Sequence, residues 1–346
     1  MSDPQNPQVP GGPSTGAAPQ QPPATTNVLL QKEKRERNVA ERPTLFTLLL
    51  KDKVATVAAA VLAFIALVAV FGPLLVGELA SKQDLTAINV APFSLDNGWA
   101  FILGSDSLGR SMLARLVIAT GTTLGVAVPA VLVALIVGSI WGVWAGYFRG
   151  WRESVSMRIA DIIMSFPSLL LAVVILYVFN PSLANIVAVL ALTRIPIYLR
   201  TARAEAAELR SRMFVDAATN FGTKPRSIIF RHIVPNVVPT LVTLATLEFC
   251  YVMLAESSLS FLGIGVQSPD VSWGLMVAQG RQYLQQAWWL SVLPGLAIVI
   301  TAVAANVLAS WLRIATDPNQ KWRLMQKSAK VKLRPSLPTR EPAGEV

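Results

Sequence analysis

Residues 214–236 read FVDAATNFGTKPRSIIFRHIVPN, a polar stretch set between two long apolar ones, and the fold class is read outward from it. Phe214, Ala217, Ala218 and Phe221 recur at i, i+3, i+4 and i+7, the spacing of one stripe on a short helix, with Asp216, Thr219 and Asn220 turned away. The paired alanines leave room for another surface to come close. Gly222 stands where a helix ends in the left-handed conformation, and Thr223 is placed to cap the next helix. Pro225 falls in the first turn of that helix, where its missing N–H removes no bond, and Pro235 is expected to stop it. A helix, a glycine break and a second helix between two apolar spans make a hairpin that stands in water and offers itself to a soluble partner.

The flanks of the hairpin set the fold class. With 53% hydrophobic and 14% charged residues among 346, the chain is too apolar for an ordinary soluble domain. Val54–Gly77, Leu116–Phe148, Ile162–Thr193 and Gln282–Leu312 contain no Asp, Glu, Lys or Arg, and a membrane-crossing helix needs only about 20 apolar residues. Ile162–Thr193 includes the turn Asn180-Pro181-Ser182, so it holds most of two helices, the second continuing through Arg194 to Leu199. A further span runs from near Val237 to near Ala255. The expectation is an all-α integral membrane protein with six transmembrane helices, one N-terminal helix being added to a five-helix core. Gly138, Gly142 and Gly146 repeat at every fourth position of the second span and mark a face for close helix packing. Trp141, Trp144, Trp151, Trp288, Trp289 and Trp311 cluster at helix ends, as interfacial anchors would.

The chain divides into four segments. Residues 1–42 form a Pro/Gln/Gly-rich and basic tail that cannot bury a core and is read as disordered. Residues 43–115 hold the first span and an outer segment, residues 116–312 the five-helix core with the hairpin loop at 212–236, and residues 313–346 a basic C-terminal tail. Lys and Arg crowd the tails, the segment around Arg149–Arg158 and the stretch Arg200–Arg231, against only Lys82, Arg110, Arg115 and Arg281 on the other side. This asymmetry places both termini in the cytoplasm. The net charge of +10 is thereby absorbed by topology and by contact with membrane lipid, not by nucleic acid.

The remaining chemistry is sparse. His232 is the only histidine and Cys250 the only cysteine, which excludes a disulfide, His- or Cys-rich metal sites and most histidine-based catalysis. Gly104 to Ser111 reads G-x-x-x-x-G-R-S, near to a phosphate-binding loop, but Arg110 replaces its lysine and no buried strand precedes it. Gly12 to Gly16 fits G-x-S-x-G by chance, in a tail with no sheet to hold a nucleophile turn. Glu248 is harder to set aside. A carboxylate in mid-span faces a cavity or a partner, and Arg194, with Glu256 further along, completes a candidate intramembrane polar site.

Asp216-Ala217-Ala218, three residues, Gly222, ten residues and Ile233-Val234-Pro235 resemble the EAA loop of permease subunits of ATP-binding cassette (ABC) importers, and the spacer with His232 and Asn236 is similar to the dipeptide/oligopeptide branch. Further strings resemble the same peptide/nickel family. They are Gly104-Ser105-Asp106-Ser107-Leu108-Gly109-Arg110-Ser111, Ala145-Gly146-Tyr147, Arg158 with Asp161, Phe166-Pro167, and Leu259 to Gln267 followed by Pro269 and Trp273-Gly274. The closing segment Ala309 to Pro318 departs from the family pattern.

The resemblance implies a C-type permease of type I architecture, with the hairpin as the coupling helix docked on an ATPase through Phe214, Asp216, Ala217, Ala218, Phe221, Gly222 and Arg226. It implies a bacterial inner-membrane complex of this chain, a homologous second permease, two ABC ATPases that hold ATP and Mg, and an extracytoplasmic binding protein delivering a peptide. This chain would then have no catalytic residues, metal or cofactor of its own. Asp106, Gly109, Arg110, Gln267 and Trp273 are its candidates for contact with the binding protein or for the pathway mouth. The rival readings are a secondary transporter using Glu248 in a proton- or ion-coupled site, for which the chain lacks paired carboxylates and repeated halves, and a membrane enzyme, for which it lacks a catalytic set.

Overall fold

The computed structural model describes residues 45–94, 98–179 and 182–316. Contacts divide the chain into residues 1–47 and 48–346. Of the first unit only Leu45–Thr47 are described, and the bundle is built from the second. The expectations for the tail 1–42, the dipeptide Asn180-Pro181 and the C-terminal segment beyond Thr316 lie outside the described residues.

The helices are α1 (Leu45–Lys51), α2 (Lys53–Ser81), α3 (Met112–Phe148), α4 (Trp151–Met164), α5 (Ser168–Val178), α6 (Leu183–Arg210), α7 (Met213–Asn220), α8 (Pro225–Ile228), α9 (Val234–Phe261), α10 (Trp273–Gly280) and α11 (Trp289–Thr316), with a π turn at Ile229–Ile233. Among the described residues, α2, α3, α6, the run Pro225–Phe261 and α11 are each long and apolar enough to cross a membrane. The sixth expected span is a bent pair, with α4 and α5 meeting at 83°. Asp52, Ser111, Ser182 and Ser272 cap α2, α3, α6 and α10 by accepting backbone amides of the first turn.

Two sequence expectations are corrected by the structure. The third span does not begin in the charge-free run at Ile162. Helix starts at Trp151, carries Arg152, Glu153, Arg158 and Asp161, and breaks at Ser165–Pro167, because a proline pushes the residue before it out of the helical region. Nor does Pro235 stop the second hairpin helix. The chain widens into the π turn just before it, so the missing proline N–H is absorbed and helix continues into α9. Asn236 Nδ2 donates to the His232 carbonyl at 2.6 Å and so engages an acceptor of the widened turn.

The glycine face of α3 packs on α6. A Cβ at Gly138, Gly142 or Gly146 would lie 2.7, 2.4 and 2.4 Å from the carbonyl oxygens of Ile195, Leu199 and Arg203, so any side chain there forces the two backbones apart. Arg149 Nη2 donates to the Ala207 carbonyl at 2.8 Å, and Arg210 donates to the Tyr147 carbonyl, tying the same ends of α3 and α6 together. Trp144, Trp151 and Trp288 are exposed as anchors should be, but Trp289 and Trp311 are buried in the bundle. The hairpin therefore stands at one end of the bundle, with the ends of α3, α6 and α11. Residues 82–94 and 98–111, with α10, close the other.

Candidate functional site

At the hairpin end, α7 leaves α6 after a two-residue turn and lies with Val215 buried and Ala218 half-buried against the core. The opposite face carries Met213, Phe214, Ala217 and Phe221, all exposed, with Phe221 at 90% relative exposure. The expected stripe thus divides: Phe214, Ala217 and Phe221 point outward, while Ala218 supports the hairpin from behind. Val215, absent from the sequence reading, is the inward anchor. Thr219 Oγ1 donates to the Val215 carbonyl at 2.9 Å, and the rings of Phe214 and His232 stand 6.1 Å apart, bracing α7 against the π turn.

Gly222 has φ of +75°, the left-handed break that the sequence demands. Thr223 is not the cap of α8. Lys224 takes that position and offers no side-chain bond, while Pro225 occupies the first turn as expected. Asp216 is exposed and makes no side-chain hydrogen bond or ion pair among the described residues. An exposed apolar face rimmed by Asp216 and Arg226 is what a soluble partner would bury.

At the other end, Asp106 is 3% exposed and is the hub of its loop. Its Oδ1 accepts from the amides of Leu108 and Arg110 at 2.9 and 2.8 Å, and its Oδ2 accepts from Arg110 Nε at 2.7 Å and from Arg115. Arg115 in turn donates to Gln279 Oε1 on α10 at 2.8 Å. In a phosphate-binding loop those amides would face the ligand, whereas here the loop's own carboxylate fills the anion position. Gly109 has φ of +71° and a Cβ there would lie 1.8 Å from the Asp84 carbonyl oxygen. The Asp84 side chain accepts from Thr86 Oγ1 and Thr86 N, which hold its carboxyl below its usual range. Trp273 is buried, with its indole and amide directed to Leu116 O and Thr123 Oγ1 of α3. Asp106, Gly109 and Trp273 therefore build the scaffold, and Arg110 and Gln267 are the outer candidates with accessible surface.

Residues 138–321, more than half of the chain, match the family described as binding-protein-dependent transport system inner membrane component, and residues 46–92 match the N-terminal TM domain of oligopeptide transport permease C. The dipeptide transport system permease protein DppC of Alkalihalophilus pseudofirmus is 36% identical over 80% of this chain and 89% of its own length. The glutathione transport system permease protein GsiD of Pectobacterium atrosepticum is 34% identical over 69% of this chain and 77% of its own. The chain belongs to the peptide/nickel family of ABC importer permeases, as a C-type subunit. The methionine ABC transporter MetNI, in inward facing conformations, aligns with a TM-score of 0.49 at 18% identity, over 60% of this chain and 98% of that one. The permease is a multi-pass, non-catalytic subunit of an ABC importer, and this assignment displaces the ion-coupled secondary transporter.

Within the permease the expected polar residues separate into two places. Glu256 is fully buried near the far end of α9 and accepts from Ser260 Oγ at 2.6 Å; Ser260 Oγ also accepts the Val266 amide at 3.0 Å, folding the following string back onto the helix. Gly265 and Gly274 make that return possible, since a Cβ at either would fall 2.5 or 2.4 Å from backbone atoms of Ser260 and Ser257. Glu248 lies mid-helix and pairs with Arg194 of α6, Nη1 to Oε2, at 3.5 Å. The guanidinium stands 3.8 Å over the ring of Tyr251, whose hydroxyl bonds Ser168 Oγ at 2.6 Å. Tyr251 and Ser168 were not legible as part of this group, because they lie on separate helices with ordinary flanking sequence.

Proposed function

We propose that this permease forms half of the translocation pathway of a bacterial importer for dipeptides or oligopeptides, and that residues 212–236 couple it to the ATPase subunits. The observation that carries the reading is the outward face of α7, where Phe214, Ala217 and Phe221 stand exposed beside Asp216, which is unpaired among the described residues. Asp216 would meet a basic residue of the ATPase, and Ala217 would let the groove wall come close. A load applied to α8 passes directly into the fifth span, since the chain is helical from Pro225 to Phe261 with only the π turn between. A load on α7 passes to the core through Val215 and to the π turn through Phe214 and His232. Nucleotide-driven closure of two ATPases would then tilt α6 and α9 between inward- and outward-open states. The partners in this reading are a homologous second permease, two ABC ATPases and an extracytoplasmic binding protein that engages Arg110 and Gln267.

The peptide cargo is supported by relatives whose names specify dipeptide and glutathione transport. Inner-membrane location with both termini cytoplasmic is supported by the Lys/Arg asymmetry. Purification of the tagged permease from native membranes tests the reading as a whole: a second permease, ATPase subunits and a peptide-loaded binding protein should accompany it. Isolation with none of the ATPases would sink it. With Cys250→Ala as background, cysteines at Ser81 and Ser227 should label with an impermeant reagent from outside only and from inside only, respectively; labelling of both from one side would overturn the topology.

A further inference from the structure

Three features meet at one depth of the bundle. Arg194 lies about 16 Å from the Leu183 end of α6 at 1.5 Å per residue, and Glu248 stands at the middle of α9. The third span breaks at the same level, since Ser168, the first residue of α5, bonds Tyr251 one turn beyond Glu248. A cavity of about 240 Å³ opens at the break, lined by Phe166, Ser168, Thr193 and Arg194 among others.

The ion pair does not have the form expected of a simple helix clamp. Its single contact of 3.5 Å is longer than the roughly 2.7–2.9 Å of a charge-assisted hydrogen bond. Arg194 Nε and Glu248 Oε2 are buried without a hydrogen-bond partner. The guanidinium is held by the Tyr251 face and by attraction to Glu248, and Arg194 lines the cavity. The N-terminus of α5 adds positive potential there, because Pro167 gives it no side-chain cap. Half-helix ends of this kind, at mid-membrane, suit anionic groups of a substrate.

We propose that the break in the third span is a carboxylate site of the pathway, where Arg194 and the first amides of α5 receive the C-terminal carboxylate of a passing short peptide. Glu248 and Tyr251 hold the guanidinium for it. The site rests on the peptide-importer reading and gives that reading a chemical selectivity inside the membrane, beyond that of the binding protein.

The test uses the complete complex in proteoliposomes with its binding protein, dialanine as the probe, and two readouts, ATP hydrolysis stimulated by loaded binding protein and dialanine moved per ATP. The paired variant Arg194→Gln/Glu248→Gln removes both charges together, so neither is left buried alone. It should assemble and hydrolyse ATP as wild type does, while dialanine per ATP falls about tenfold, the scale of one lost charged hydrogen bond. Arg194→Lys, which keeps the charge without the fork, should fall about threefold and decides the matter if the paired variant does not assemble. Unchanged dialanine per ATP in the variant that assembles overturns the site. Equal loss of hydrolysis and uptake also overturns it, assigning the pair to holding α6 against α9. A wild-type complex whose ATPase is stimulated but which moves no dialanine would instead bring down the peptide reading, and the site with it.

Discussion

The loop Gly104–Ser111 and the hairpin at residues 213–228 occupy opposite ends of the bundle and use their motif residues in opposite ways. In the loop the fold takes up the central motif residues: Asp106 is saturated by two amides and two arginines, and Gly109 admits the Asp84 backbone, leaving Arg110 partly accessible. In the hairpin most marked side chains turn outward, and Val215, Ala218 and Ile228 are the residues held by the core. A motif can therefore mark either a scaffold or a surface. What separates the two is whether the fold itself uses up the hydrogen bonds and apolar area of the residues concerned.

The comparison can be broken most forcefully at Asp106. Asp106→Ala strands the buried Arg115 guanidinium and two loop amides, and should destabilise the permease by about 3–5 kcal/mol, the usual cost of removing one partner of a buried pair. Thermal unfolding of the detergent-solubilised chain would register this as a large drop in midpoint or a loss of folded yield; a wild-type midpoint would contradict the scaffold reading. Between the two ends, Gly142→Ala places a methyl group 2.4 Å from the Leu199 carbonyl oxygen and should cost about 1–3 kcal/mol by prying α3 from α6. The same melt measures it. At the hairpin, a Cβ at Gly222 would meet no neighbouring atom within 4 Å, so the penalty of Gly222→Val falls chiefly on the backbone at φ +75°, about 1–2 kcal/mol. It should leave the bundle's melting nearly intact while re-aiming α7 against α8, so that ATP hydrolysis continues without uptake. Wild-type coupling in Gly222→Val would mean that the break does not set the docking geometry.

Much of this molecule was legible from its residues. Charge-free runs locate four of the five long helices because lipid tolerates few charges, and the glycine repeat locates the α3–α6 seam because only a missing Cβ allows that approach. The left-handed Gly222 follows from its place between two helical patterns. The bent third span was not legible, since α4 carries four charged residues that hydropathy assigns to a loop, and its ion pairs Asp161 with Arg200 and Glu153 with Arg203 are long-range. The inward face of α7 was missed for a different reason: with eight residues and apolar groups on both sides, its period cannot say which face meets the core. The continuation through Pro235 depends on a π turn, for which the residues carry no separate signal. Arg194 and Glu248 could be suspected as a pair from their positions in apolar runs, but Tyr251 and Ser168 complete the group only once α5, α6 and α9 are packed.

The central claim is that the outward face of α7 receives the ATPase, and Ala217→Trp tests it most directly. Ala217 is exposed, so the change should move the permease's own stability by less than about 0.5 kcal/mol. The measurement is the stoichiometry of subunits co-purifying with the tagged variant at a melting temperature equal to wild type. The account predicts that the second permease stays bound and the ATPase subunits are lost. ATPase subunits retained at the wild-type ratio, with uptake unimpaired, would contradict it.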